Sequence, residues 1–322
     1  MTPVTGQSPR SRLDSPDIFK AKLSGQNMNT LNRRTATRWV MLGTLGAIAR
    51  SQPTAATAVA PASPTGHDTS PTGHDANPTG HDANPTPASP THTDQIAMLV
   101  YPKMTALDLI GPQYLFSSLR GAKVHLVAKS LTPVTSDTGV TITPTVSFAD
   151  CPTDLTVLFA PGGTQGTLDA MQDPDTRAFM ADRGARATYV TSVCTGSLIL
   201  GAAGLLKGYK ATSHWSVREV LADFGATPTH ERVVRDRNRI TGAGVTAGLD
   251  LGLTLVAELR DPNYAENVQL LCEYDPQPPF HAGSLETAPP EVKAKMSQLM
   301  QGFATRAHAV AGSLEGLATR AP

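Results

Sequence analysis

Thr188–Val193 reads as a buried strand, and it runs without a linker into Cys194 and then into the apolar helical segment Thr195–Ala203. A strand that passes into a helix across one residue puts that residue on a sharp turn, with its side chain standing over the end of a sheet. The helix start behind the turn offers free N–H groups and the positive end of a dipole, both of which favour a thiolate. Gly196, directly after Thr195, lets the backbone approach closely. Cys194 is therefore a candidate nucleophile with a depressed pKa. The plainer reading is a buried, inert cysteine, the commonest fate of a free thiol.

The flanking sequence supports this architecture. Gln95–Tyr101 is an apolar run of strand length, Ala106–Leu119 has helical spacing, and Lys123–Ser130 is a second strand. Thr138–Val146 alternates as an edge hairpin would. Leu155–Ala160 reads as a buried strand ending in Pro161-Gly162-Gly163, and Thr176–Ala187 reads as a helix. Short strands follow at Glu231–Arg235 and Arg239–Thr241, then a long amphipathic helix at Thr246–Leu259. Strands alternating with helices predict an α/β domain with a mostly parallel sheet covered on both faces. Ligands bind such sheets at the carboxyl ends of the strands. Asp108, Gly162, Gly163 and Cys194 all fall there. Asp108 sits among Leu107, Leu109 and Ile110 at a helix entry, where desolvation favours a protonated carboxyl. An N-cap aspartate would suit the same position.

The rest of the chain is organised differently. The 322 residues carry no net charge, yet residues 1–50 hold eight Lys/Arg against two Asp/Glu, leaving 19 against 25 in the remainder. A basic leader before an acidic body points to targeting rather than to nucleic-acid binding. Arg33-Arg34, the short apolar run Trp39–Ala49 and the Ala/Thr-rich stretch Ala55–Ala60 follow the order of a twin-arginine-type export signal, with cleavage after Ala58. The apolar run is too short for a stable membrane-spanning helix. Residues 1–60 are thus expected to direct export to the periplasm or beyond; a chain lacking that signal would stay cytoplasmic. Pro-Thr-Gly-His-Asp then recurs at Pro64–Asp68, Pro71–Asp75 and Pro78–Asp82, and residues 61–94 read as a solvated, disordered linker. The catalytic domain is expected over 95–285 and a helical tail over 286–322, where Gly302, Gly312 and Gly316 weaken the helix. Three cysteines, Cys151, Cys194 and Cys272, are too few for a disulfide scaffold.

Several segments resemble the ThiJ/PfpI superfamily, which belongs to the class I glutamine amidotransferase-like group. They are Leu107-Asp108-Leu109-Ile110-Gly111-Pro112, Pro161-Gly162-Gly163, the turn around Cys194, Ala211-Thr212-Ser213-His214-Trp215 and Thr241–Gly248. Glu273-Tyr274-Asp275-Pro276-Gln277-Pro278-Pro279-Phe280 is similar to the isonitrile hydratase subgroup in particular. Together they span about residues 95–285 in the family's order. The resemblance implies a flavodoxin-like three-layer sandwich with a nucleophile-elbow cysteine, and a homodimer. It implies Cys194 as nucleophile, Asp108 as acid/base and Thr195 assisting, with amides near Gly162 and Gly163 polarising a small-molecule substrate. His214 could approach the site, or be a core histidine satisfied by a carbonyl.

The expected reaction is hydration of an isonitrile to an N-substituted formamide. Protease-like and glyoxalase-like members place a histidine after the cysteine, and Thr195 occupies that position here. A redox or stress-protective role through Cys194 oxidation is the main alternative, with a glyoxalase-like activity beside it. The ligand-sensing domain of AraC-type regulators is a further one. No phosphate loop, zinc spacing or dinucleotide fingerprint appears, so neither cofactor nor metal is implied.

Overall fold

The computed structural model describes residues 93–318, and side chains as far as 314. The expected export signal, the repeats and most of the linker lie outside the described residues. Among those residues no helix is long and apolar enough to cross a membrane.

The chain enters on β1 (Gln95–Leu99), follows with α1 (Ala106–Ser117), and returns on β2 (Lys123–Ala128). Three two-residue strands come next: β3 (Val134–Thr135), β4 (Thr141–Ile142) and β5 (Val146–Ser147). Then come β6 (Val157–Ala160), α2 (Gln165–Gln172), α3 (Pro174–Arg186), β7 (Tyr189–Val193) and α4 (Gly196–Ala202). Short β8 (Lys210–Ala211) and β9 (Thr227–Pro228) flank a 3₁₀ turn, Arg218–Phe224. The chain closes with β10 (Val233–Asp236), β11 (Arg239–Gly242), α5 (Ala247–Leu259), α6 (Pro262–Leu271) and α7 (Pro290–Ala318).

Seven strands form the central sheet in the order β10-β11-β7-β6-β1-β2-β5. Every pairing is parallel except β10 with β11. The flavodoxin-like α/β fold expected from the sequence is the fold observed. β6 is buried along its whole length, and β1 and β7 at every residue after their first, as strands covered by helices on both faces must be. Side chains such as Met98, Phe159 and Val193 fill the core, and Phe116 packs edge-on to Phe159 with ring centroids 5.9 Å apart. The topology places β7, β6 and β1 side by side. Cys194, Gly162-Gly163 and Asp108 therefore converge at one end of the sheet.

Three local expectations needed correction. The hairpin pairs Val134 with Ile142 and Thr135 with Thr141, outside the main sheet, while Val146 and Ser147 form its parallel edge. Residues 136–140 are the turn: the Ser136 amide donates to the Val140 carbonyl at 2.8 Å, and Gly139 takes φ +89°. Thr138 thus cannot begin a strand. Secondly, α2 precedes α3 where the sequence suggested one helix. Thirdly, α7 runs unbroken through Gly302 and Gly312. Each glycine costs about 1 kcal/mol, and burial of Phe303, Ala307 and Ala311 against the 3₁₀ turn and α2 outweighs that cost.

Candidate active site

β7 delivers Cys194 to the elbow. Its φ of 57° lies in the left-handed region, which a non-glycine residue adopts only when surrounding contacts hold it. Those contacts are explicit. The Cys194 amide donates to the Gly242 carbonyl at 3.1 Å, and the Cys194 carbonyl accepts from Ser213 Oγ at 3.0 Å and Ser197 Oγ at 3.2 Å. Two of the sequence motifs thus act as clamps on the elbow. Gly196 fits because a Cβ there would lie 2.2 Å from the Ala160 carbonyl oxygen.

Asp108 lies in the first turn of α1, and Thr105, not Asp108, occupies the N-cap. The capping alternative is therefore excluded. The carboxyl is fully buried, with Oδ2 accepting from the Gly162 amide at 2.9 Å and Oδ1 without a hydrogen-bond partner. Burial pushes its pKa up to about 7, against the smaller opposing pull of the Gly162 amide and the Cys194 thiol. Burial also pushes the Cys194 thiol well above the usual range, and the neighbouring Asp108 charge adds to this. The Thr195 amide and hydroxyl pull the other way and are outweighed. The expectation of a depressed thiol is thus corrected for the free protein, because the helix start cannot offset loss of water and an adjacent carboxylate.

Two coupled groups of this kind titrate as a pair. Above about pH 7 the pair keeps one proton, which can sit on sulfur or on Asp108. Moving it from sulfur to carboxyl creates a thiolate beside a neutral acid with no exchange with bulk water.

The glycine pair does not present free donors. The Gly162 amide is engaged by Asp108, and the Gly163 amide donates to Thr195 Oγ at 2.8 Å. Gly162 has no room for a side chain, since a Cβ would stand 2.6 Å from the Thr195 nitrogen and 2.7 Å from Asp108 Oδ2. These residues hold the acid and the hydroxyl in place. Polarising a substrate would require those bonds to open.

His214 is half-buried, with Nδ1 2.8 Å from Ser216 Oγ. Burial, then the Arg218 guanidinium, lowers its pKa to about 4, so the ring is neutral at pH 7. Its polar partner is a serine hydroxyl, and none of its hydrogen bonds reaches Cys194 or Asp108. Cys151 is buried and Cys272 caps α6; neither lies at the elbow.

The sequence reading missed Thr167 and Tyr101. Thr167 Oγ lies 2.8 Å from Thr195 Oγ, and Tyr101 OH lies 3.1 Å from Thr167 Oγ. Tyr101 ends the first apolar run and was legible as a strand-end residue. Thr167 sits on the helix that the sequence did not reveal.

The sequence and the fold both have counterparts among known proteins. A profile of the DJ-1/PfpI family matches residues 94–258. Isonitrile hydratase of Pseudomonas putida is 51% identical over 198 residues, covering 62% of this chain and 86% of that protein. The crystal structure of a ThiJ/PfpI family protein from Pseudomonas syringae superposes with a TM-score of 0.69 at 65% identity, over 74% of this chain and 98% of the other. An AraC family transcriptional regulator from Pseudomonas putida matches with a TM-score of 0.51 at 20% identity, over 56% of this chain and 99% of the other, which is a likeness of fold alone. The chain belongs to the DJ-1/PfpI family.

Proposed function

We propose that the protein is an isonitrile hydratase-like hydro-lyase that converts R–N≡C and water to R–NH–CHO, with Cys194 as nucleophile, Asp108 as acid/base and Thr195 as donor to the sulfur. One observation carries the chemistry: the Asp108 carboxyl is fully buried next to the buried Cys194 thiol, and burial raises the pKa of both, so that one proton is available to the two groups. The choice of substrate class rests on the 51% identity to isonitrile hydratase.

The reaction needs a nucleophile and a proton at the same carbon. Proton transfer from sulfur to Asp108 gives the thiolate and the acid together. Sulfur bonds to the terminal carbon, Asp108 protonates that carbon, and the product is the thioimidate R–N=CH–S–Cys194. Asp108, now a carboxylate, takes a proton from water as its oxygen adds to the same carbon, and passes that proton to nitrogen. The resulting R–NH–CH(OH)–S–Cys194 expels sulfur, and the hydroxyl proton returns to the pair. One water is consumed, and no redox change occurs.

A resting thiol pushed upward disfavours the oxidation-sensing alternative, which relies on an exposed thiolate. We read the protein as a homodimer, since Leu107, Ile110 and Tyr114 leave half-exposed apolar side chains along the helix that carries Asp108. The leader composition supports export. Incubation with a panel of small isonitriles, with methylglyoxal and peroxide in parallel, tests the assignment. Formamide should appear by NMR with the isonitriles; turnover only of methylglyoxal, or sulfenate formation without formamide, would overturn it.

A further inference from the structure

Thr195 is not an isolated hydroxyl beside the thiol. Its Oγ accepts from the Gly163 amide at 2.8 Å and lies 2.8 Å from Thr167 Oγ. Thr167 is fully buried and also reaches the Gly163 carbonyl at 3.0 Å and Tyr101 OH at 3.1 Å. Tyr101, itself buried, donates to the Pro161 carbonyl at 2.8 Å.

A hydroxyl has one proton and two lone pairs. Tyr101 directs its one proton at both the Pro161 carbonyl and Thr167 Oγ, so Thr167 accepts from Tyr101 and keeps its own proton to donate to Thr195. When Thr167 donates to Thr195, both lone pairs of Thr195 are filled, one by Thr167 and one by the Gly163 amide. The single Thr195 proton is then the only group left to point. In the resting site it has the Gly163 carbonyl as acceptor. A newly formed thiolate next door is the stronger acceptor, because hydrogen bonds to charged groups are roughly twice as strong.

We propose that Thr167, anchored by Tyr101, is a positioning residue that fixes the Thr195 hydroxyl as a donor to the Cys194 sulfur. This deepens the assignment of Thr195 in the proposed reaction and rests on it. The competing account is purely mechanical: the three hydroxyls tie α2 to the ends of β1, β6 and β7, and only stability depends on them.

The two accounts differ in the titration of Cys194, which requires no substrate. Peptide-resolved iodoacetamide labelling against pH should be run on wild type, Thr167→Val, Thr167→Ser, Thr195→Val and the Thr167→Val/Thr195→Val pair. Thr167→Val should move the Cys194 midpoint to higher pH and lower isonitrile kcat about tenfold, less than the hundredfold or more lost with a direct donor, with KM within about twofold. Thr167→Ser should restore both, and Thr167→Val should add nothing once Thr195 is already Val. Tyr101→Phe, which keeps the ring, should move the midpoint in the same direction by less, and it decides the matter if Thr167→Val does not fold. An unchanged midpoint in Thr167→Val with only a lower melting temperature would overturn the proposal. So would an equal effect of Thr167→Val with and without the Thr195 hydroxyl. Absence of isonitrile turnover would overturn the substrate assignment, while the labelling series would still decide the role of Thr167.

Discussion

Asp108 Oδ1 is a fully buried carboxylate oxygen with no partner, an arrangement that costs stability whenever the group is charged. The sign of the pH effect follows. The folded pKa of about 7 exceeds the ordinary aspartate value of 3.8, so the native state binds the proton more tightly. This contribution is fully present below about pH 4, declines as pH rises towards 7 and is then lost. Asp108→Asn carries no such penalty. Its melting temperature should match wild type near pH 4 and exceed it above pH 7, by at most about 4 kcal/mol of stability; a thermal scan across pH checks this. The same substitution should lower isonitrile turnover a hundredfold or more. It should also bring Cys194 alkylation to lower pH, because the neighbouring negative charge is gone. In wild type, kcat/KM should rise through about pH 7 as the pair loses its first proton, and hold until the thiol loses the second. A profile flat from pH 5 to 9 would contradict the shared-proton pair.

The elbow is where sequence pattern translated most directly into structure. β7 and α4 are buried segments separated only by Cys194 and Thr195, so the strand, the turn and the helix were legible, and with them the position of Cys194. The charge state was not legible, because it depends on burial and on Asp108, 86 residues away in the sequence. The glycine amides were legible as neighbours of the site. Their engagement by Asp108 and Thr195 depends on how β1, β6 and β7 pair. α2 escaped notice because Gly166 and Thr167 are poor helix formers and only packing holds them there. The elbow's tightness yields a sharp expectation. Gly196→Ala would drive a methyl group into the backbone carbonyl of Ala160, which no side-chain rotation can relieve, and should cost more than about 4 kcal/mol or prevent folding. Urea unfolding of the variant, or its failure to appear in the soluble fraction, measures this.

Apolar periodicity located the sheet and its principal helices, whereas the N-terminal segment was read from its charge, its arginine pair and its repeats. α7 illustrates the limit of local propensity: its glycines suggested weakness, and long-range contacts of Phe303, Ala307 and Ala311 override it. Phe303→Ala should accordingly lower stability by about 3–5 kcal/mol, measured as a lower urea midpoint. The proposed export carries the expectation of a mature terminus near Val59, which mass spectrometry of protein recovered outside the cytoplasm checks; full-length protein found only in the cytoplasm would count against it. Catalysis here runs through a single sulfur atom, and formamide production from one isonitrile by wild type and Cys194→Ala under identical conditions tests it. The variant should fold and melt normally yet produce formamide only at the uncatalysed rate. A Cys194→Ala protein that retains turnover would contradict it.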